Sequence, residues 1–119
     1  MPLKALSCLW SVLLLSTLLF ATGCALFTKG EKEDLTRKWS AKKLYQEAKG
    51  AASSGDYETA IEYYQKLETR YPFGPLAEQG ALELAYAYYK FKEPESALAQ
   101  TKKFITLHPR HRNVDYAYY

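Results

Sequence analysis

Residues 44–72, LYQEAKGAASSGDYETAIEYYQKLETRYP, and residues 81–109, ALELAYAYYKFKEPESALAQTKKFITLHP, align without a gap at an offset of 37. Ala48 falls on Ala85, Ala60-Ile61 on Ala97-Leu98, Leu67 on Phe104 and Pro72 on Pro109. The recurring positions are small or apolar, and the proline recurs at the stop. A fixed offset of this kind marks one supersecondary unit used more than once, because such a unit cannot bury its apolar face alone and must stack on a copy. A third copy begins weakly, with Glu78 on Asp115 and Gly80 on Ala117.

Each copy reads as a pair of helices. Leu44, Tyr45, Ala48, Ala51 and Ala52 recur at helical spacing and form an amphipathic face. Ser53-Ser54-Gly55-Asp56 breaks it. Gly55 suits a left-handed C-terminal cap and Asp56 caps the next N-terminus. Tyr57, Ala60, Ile61, Tyr64, Leu67 and Tyr71 continue one apolar face until Pro72, which cannot extend a helix. In the second copy Pro75 suits a first helical position. Ala77, Ala81, Leu84, Ala85 and Tyr88 form one face, and Glu93-Pro94 makes the turn. Ala97, Leu98, Thr101, Phe104 and Ile105 form the next face before Pro109. Sustained period-two alternation is absent, so the expected class is all-α.

Ala48, Ala60, Ala85 and Ala97 are expected where antiparallel helices cross, since a methyl lets the axes approach. The pattern resembles the tetratricopeptide repeat, a helix–turn–helix unit of about 34 residues with small residues in each helix. Three extra residues per period fall in the Tyr71-Pro72-Phe73-Gly74-Pro75 connection. The expectation is a solenoid of two repeats with the first helix of a third starting at Val114. About three repeats are needed for stability, so this reading also expects a longer natural protein or a truncated reading frame.

Upstream, Met1 to Lys4 is short and basic, Ala5 to Phe20 is apolar, and Ala21-Thr22-Gly23 precedes Cys24. This is the layout of an export signal. The competing reading, a membrane span, is disfavoured because the run is short for ~30 Å of hydrocarbon and ends in small residues. Ala21-Thr22-Gly23-Cys24 resembles the bacterial lipobox, with Ala21 where that motif usually carries Leu. The resemblance implies cleavage before Cys24, a diacylglycerol thioether on its sulfur and an N-acyl chain on its new amino group. Ala25, where an Asp favours inner-membrane retention in Gram-negative lipoproteins, points to the outer membrane. The expected divisions are a signal peptide over 1–23, a lipidated tether over 24–38 and a repeat domain over 39–119.

The formal net charge is +3, and losing the leader with Lys4 leaves +2. Both signs are interspersed along the chain, which gives no reason to expect a nucleic-acid or anionic-lipid surface. Cys8 and Cys24 are the only cysteines, so the mature chain has no disulfide partner for Cys24. His108 and His111 flank Pro109 without a ligand set for a metal. Glu58, Glu62, Glu78 and Glu83 read as ordinary helix-surface acids. Nothing supports an enzyme, a metal or a non-covalent cofactor.

Arg70-Tyr71-Pro72-Phe73-Gly74-Pro75, then Ala85-Tyr86-Ala87-Tyr88-Tyr89-Lys90, then His108-Pro109 through Asn113-Val114-Asp115-Tyr116, following a lipobox, resemble the N-terminal half of the BamD (ComL) lipoprotein family. The resemblance implies a scaffold on the periplasmic face of the outer membrane, part of the β-barrel assembly machinery. It implies that unfolded outer-membrane proteins are received through their C-terminal targeting strand, together with partner subunits. A receiver of such a strand needs an apolar, aromatic-lined concavity, and all eleven tyrosines lie after Cys24. Tyr71, Phe73, Gly74, Tyr86 and Tyr89 are the expected substrate-binding residues. Tyr64 and Tyr88 belong to the packing stripe, and Tyr71 and Phe73 fit packing or binding equally. An alternative role is an envelope lipoprotein that binds the cell wall or supports division. Labelled palmitate is expected to enter the chain in a Gram-negative host and to be absent from a Cys24→Ser variant; label in that variant contradicts the lipobox reading.

Overall fold

A computed structural model of the chain describes residues 34–119. Cys24 and the expected signal peptide lie outside the described residues. Thr36–Tyr119 forms one compact unit. Its helices are α1 Ala41–Ser53, α2 Tyr57–Arg70, α3 Pro75–Lys90, α4 Pro94–Leu107 and α5 Val114–Tyr118. Among the described residues there is no strand. The helices pack as successive neighbours, α1 on α2, α2 on α3, α3 on α4 and α4 on α5, with a further contact between α1 and α3. The expected all-α, tetratricopeptide-like solenoid is what forms.

The local chemistry sets the helix ends. The Ser40 hydroxyl accepts from the Lys43 amide at 3.2 Å, and the Asp56 carboxylate accepts from the Thr59 amide at 3.1 Å. Both satisfy amides that an N-terminus leaves open. Between α1 and α2, Gly55 has φ +84°. The Asp56 amide donates to the Ala51 carbonyl at 2.9 Å and the Gly55 amide to the Ala52 carbonyl at 3.1 Å. This pair of bonds is a Schellman cap. One period later the cap recurs: Glu93 donates to Tyr88 at 3.0 Å and Lys92 to Tyr89 at 3.2 Å. Lys92 stands where the first copy has Gly55 and takes φ +64°. A side chain there costs about 1–2 kcal/mol, so the repeat geometry overrides the residue's own preference. Pro75 and Pro94 start α3 and α4.

All four crossing alanines are buried: Ala48 and Ala60 fully, Ala85 and Ala97 nearly so. The core of the first pair gathers Leu44, Ala48, Ala60, Ile61, Tyr64 and Leu67 with Leu84 and Ala87 from α3. Each large apolar side chain buried there stabilises the fold by about 1.5–3 kcal/mol. α3 buries more than the single face expected of it. Gly80, Leu82 and Ala87 are buried as well, because α3 packs on α2 on one side and α4 on the other. A methyl at Gly80 would lie 2.7 Å from Leu67 Cδ2. One period on, Ala117 packs against the cluster that holds Phe104, so the weak third copy occupies its expected place.

Three placements differ from the sequence reading. Leu98, the counterpart of buried Ile61, is 56 % exposed. Ile61 is covered because α3 lies on α2, whereas five-residue α5 leaves Leu98 open. Tyr71, expected on the apolar face of α2, lies past the helix end as its C-cap and is 38 % exposed. Residues 36–38, read as tether, begin the packed unit. Thr36 is buried, its carbonyl accepts from Arg70 Nη1 at 2.6 Å, and the Trp39 amide closes a turn onto it at 2.9 Å.

Replacing Ala60 by Leu is expected to lower the unfolding free energy by about 1–3 kcal/mol through overpacking. The same change at exposed Ala99 is expected to stay within ~0.5 kcal/mol. Urea titrations of both variants check this.

Candidate functional site

In a stack of helix pairs the first helices of successive pairs line one surface. Here α1, α3 and α5 are those helices, and between them runs a cleft of about 640 Å³. Lys49, Ala52 and Ser53 come from α1, Tyr57 from the start of α2, and Gln79, Leu82, Glu83 and Tyr86 from α3. Asn113 and Tyr116 close it from the third copy. The repeat offset pairs Lys49 with Tyr86 and Gln79 with Tyr116. The same positions of successive repeats therefore line the cleft, with aromatic side chains replacing polar ones.

A carboxylate holds the floor together. Glu83 Oε1 accepts from the Tyr45 hydroxyl at 2.8 Å and from Gln79 Nε2 at 3.1 Å, and its Oε2 accepts from the Tyr64 hydroxyl. Gln79 Oε1 in turn accepts from Asn113 Nδ2 at 3.1 Å. One network thus spans α1, α2, α3 and the α4–α5 connection. Tyr45 and Tyr64 also meet edge to face, with ring centroids 6.2 Å apart. Burial, reinforced by the Glu83 carboxylate, pushes the Tyr45 phenol up to about 12 and the Tyr64 phenol further up. Glu83 is therefore not the ordinary surface acid that its helical position suggested. Its two tyrosine partners come from 38 and 19 residues away, beyond the reach of any local pattern.

The five residues expected to bind substrate separate into two groups. Tyr71, Phe73 and Gly74 share the α2–α3 connection. The Tyr71 hydroxyl donates to the Trp39 carbonyl at 2.9 Å, Phe73 is 91 % exposed, and Gly74 takes φ +105° at the start of α3. Tyr86 and Tyr89 lie near the other end of α3, separated from Gly74 by roughly 18 and 22 Å at 1.5 Å per residue. Tyr86 faces the cleft and meets Tyr57 edge to face at 6.5 Å. Tyr89 lines a neighbouring depression with Tyr86, Leu98, Tyr116, Tyr118 and Tyr119. Of the two tyrosines read as packing, Tyr64 is buried and Tyr88 is half-buried, its hydroxyl accepting from Gln65 Nε2 at 2.5 Å. Lys49, Tyr57, Gln79, Asn113 and Tyr116 were missed as lining. The offset of 37 links Lys49 to Tyr86 and Gln79 to Tyr116, whereas Tyr57 and Asn113 carry no such signal.

Residues 37–119 match the family model described as YfiO, outer membrane lipoprotein. The chain belongs to the YfiO family of outer membrane lipoproteins. Relatives named "Outer membrane protein assembly factor BamD" share 42 % identity in Neisseria gonorrhoeae, over 82 % of this chain and 37 % of the relative. The figures are 39 % in Vibrio cholerae, over 79 % and 39 %, and 34 % in Xylella fastidiosa, over 89 % and 35 %. The chain spans a little over a third of the length of these YfiO-family relatives. Among the described residues no helix is long and apolar enough to cross a membrane.

Because the Tyr45 and Tyr64 phenols are raised, their contribution to stability is present below the ordinary tyrosine value near 10 and is lost as pH rises through the folded values. The chain is expected to lose stability between about pH 10 and 12 and above. A Tyr45→Phe/Tyr64→Phe variant is expected to be less stable at neutral pH and flatter across that alkaline range. Denaturant melts at stepped pH check both.

Proposed function

We propose that this chain is a lipid-anchored scaffold of outer-membrane protein assembly, held on the periplasmic face of the outer membrane through Cys24, and that it binds unfolded β-barrel proteins and partner subunits without catalysing a reaction. The observation that carries the reading is the family match over residues 37–119, with relatives named as assembly factors. The exposed aromatic surface supports it. A strand that alternates apolar and polar residues and ends in an aromatic needs contact area with polar tips. Tyrosine supplies both at low rotamer cost.

The split of the expected site gives the proposal two surfaces. The α2–α3 connection offers Tyr71, Phe73 and Gly74, where a residue without Cβ allows close backbone approach. The cleft offers Tyr86, with Tyr89 on the depression beside it. We assign capture of the targeting strand to these residues. The cell-wall alternative has no feature of its own in the described residues to recommend it.

A photoreactive phenylalanine analogue at position 73 or 86 is expected to crosslink a synthetic peptide carrying the C-terminal strand of a barrel protein, several-fold above a scrambled peptide. Crosslinking at one position alone assigns the strand to that surface. No excess at either position removes the substrate-binding role.

A further inference from the structure

Helices joined by short turns run antiparallel, so the N-termini of α1 and α3 share one end of the stack with the C-termini of α2 and α4. Direct contacts agree. Arg70 and Tyr71, at the end of α2, bond the carbonyls of Thr36 and Trp39, just before α1. A third cleft joins Tyr45 of α1, Pro75 and Leu76 of α3 and the Arg110-His111-Arg112 segment after α4.

The two ends of the stack differ in charge. The end bearing Thr36 presents Arg37, Lys38, Lys42, Lys43, Arg110 and Arg112, all exposed. Of these, only Lys43 has an acidic partner among the described residues, Glu47 at 2.5 Å. Glu78 and Asp115 are the acids in the first turns at this end. The opposite end, at the α1–α2 and α3–α4 turns, carries Asp56, Glu58, Glu93 and Glu95 against Lys90 and Lys92. The basic end also carries Trp39, half-buried against the core of the first pair, its ring tilted against Tyr63 at 5.4 Å with Lys43 Nζ 5.4 Å from its centroid. Trp and Tyr beside Lys and Arg is the composition of a membrane–water interface.

We infer that this end of the stack docks on an anionic phospholipid surface, with the six bases facing lipid phosphates and Trp39 at headgroup depth. Charge complementarity selects the occupant. Chain connectivity agrees, because Thr36 follows Cys24 by only 12 residues, which reach about 40 Å when fully extended. A basic patch beside a lipid anchor supplies a second membrane signal. It also fixes which end of the solenoid faces the bilayer, placing exposed Phe73, on the α2–α3 connection, at the membrane-facing end. The docking goes beyond the assembly role; only the reach of the tether rests on lipidation of Cys24.

The test uses the purified full chain carrying Cys24→Ser, so that no lipid contributes. Binding to phosphatidylethanolamine vesicles containing ~30 % phosphatidylglycerol is compared with binding to phosphatidylcholine vesicles. The apolar leader acts on both, so the ratio isolates the charge effect. A surface base is worth roughly fivefold in such partitioning. The parent is expected to prefer the anionic vesicles at least tenfold and to lose that preference in 0.5 M salt. Lys42→Gln/Lys43→Gln and Arg110→Gln/Arg112→Gln, two bases each, are expected to reduce the ratio by up to about 25-fold. Lys90→Gln/Lys92→Gln, at the far end, is expected to leave it within twofold, with unchanged helical circular dichroism throughout. Equal binding to both vesicles, or an equal loss in the far-end control, overturns the proposal. Failure of the peptide crosslinks with this ratio intact removes the substrate-binding role alone.

Discussion

The carboxylate of Glu83 is the point through which the repeats share one register. It projects from α3 and takes the hydroxyls of Tyr45 from α1 and Tyr64 from α2. A buried hydroxyl without a partner costs about 1–3 kcal/mol, and hydrogen bonds to a charged acceptor are the stronger kind. Sliding α3 along α2 by one turn would leave both tyrosines unpaired. Apolar packing alone would tolerate such a slip more readily, because methyl against methyl is not directional. The cleft inherits the consequence. Gln79, bonded to Glu83, holds Asn113 of the third copy, so the lining residues keep fixed relative positions.

Around that point the alanines and Gly80 set how close the helices lie. Gly80 accepts Leu67 where a methyl would stand 2.7 Å away, and Ala117 meets the Phe104 cluster one period later. The recurrence of one contact at a constant offset is what makes the stack a repeat rather than a helical bundle. The Schellman cap at Gly55 returning at Lys92 points the same way. The turn is kept although lysine disfavours it, so the constraint comes from neighbouring helices.

Much of this was legible from the chain. Ala48, Ala60, Ala85 and Ala97 named the crossings because small residues recur at a fixed offset where helix axes must approach closely. Gly55, Asp56, Pro72 and Pro75 named the boundaries because their backbone chemistry is local. Leu98 was misread because the offset predicts chemical type, whereas burial depends on the next helix laid over it. Glu83 was misread because a helix surface looks alike whether it meets water or a tyrosine from a helix 38 residues away. The five expected binding residues shared aromatic or glycine character but not a surface, and only the three-dimensional path of α3 separates Gly74 from Tyr86. The cleft was half-visible, since Lys49–Tyr86 and Gln79–Tyr116 repeat, but repetition does not tell a lining position from a packed one.

The central claim is that Glu83 and the tyrosines below it act as one unit. A double-mutant cycle between Tyr64→Phe and Glu83→Ala, read by urea unfolding, measures that directly. The second substitution is expected to cost at least about 1 kcal/mol less once the first is made. Additivity within about 0.3 kcal/mol would show that the two side chains do not depend on each other, and would contradict the claim.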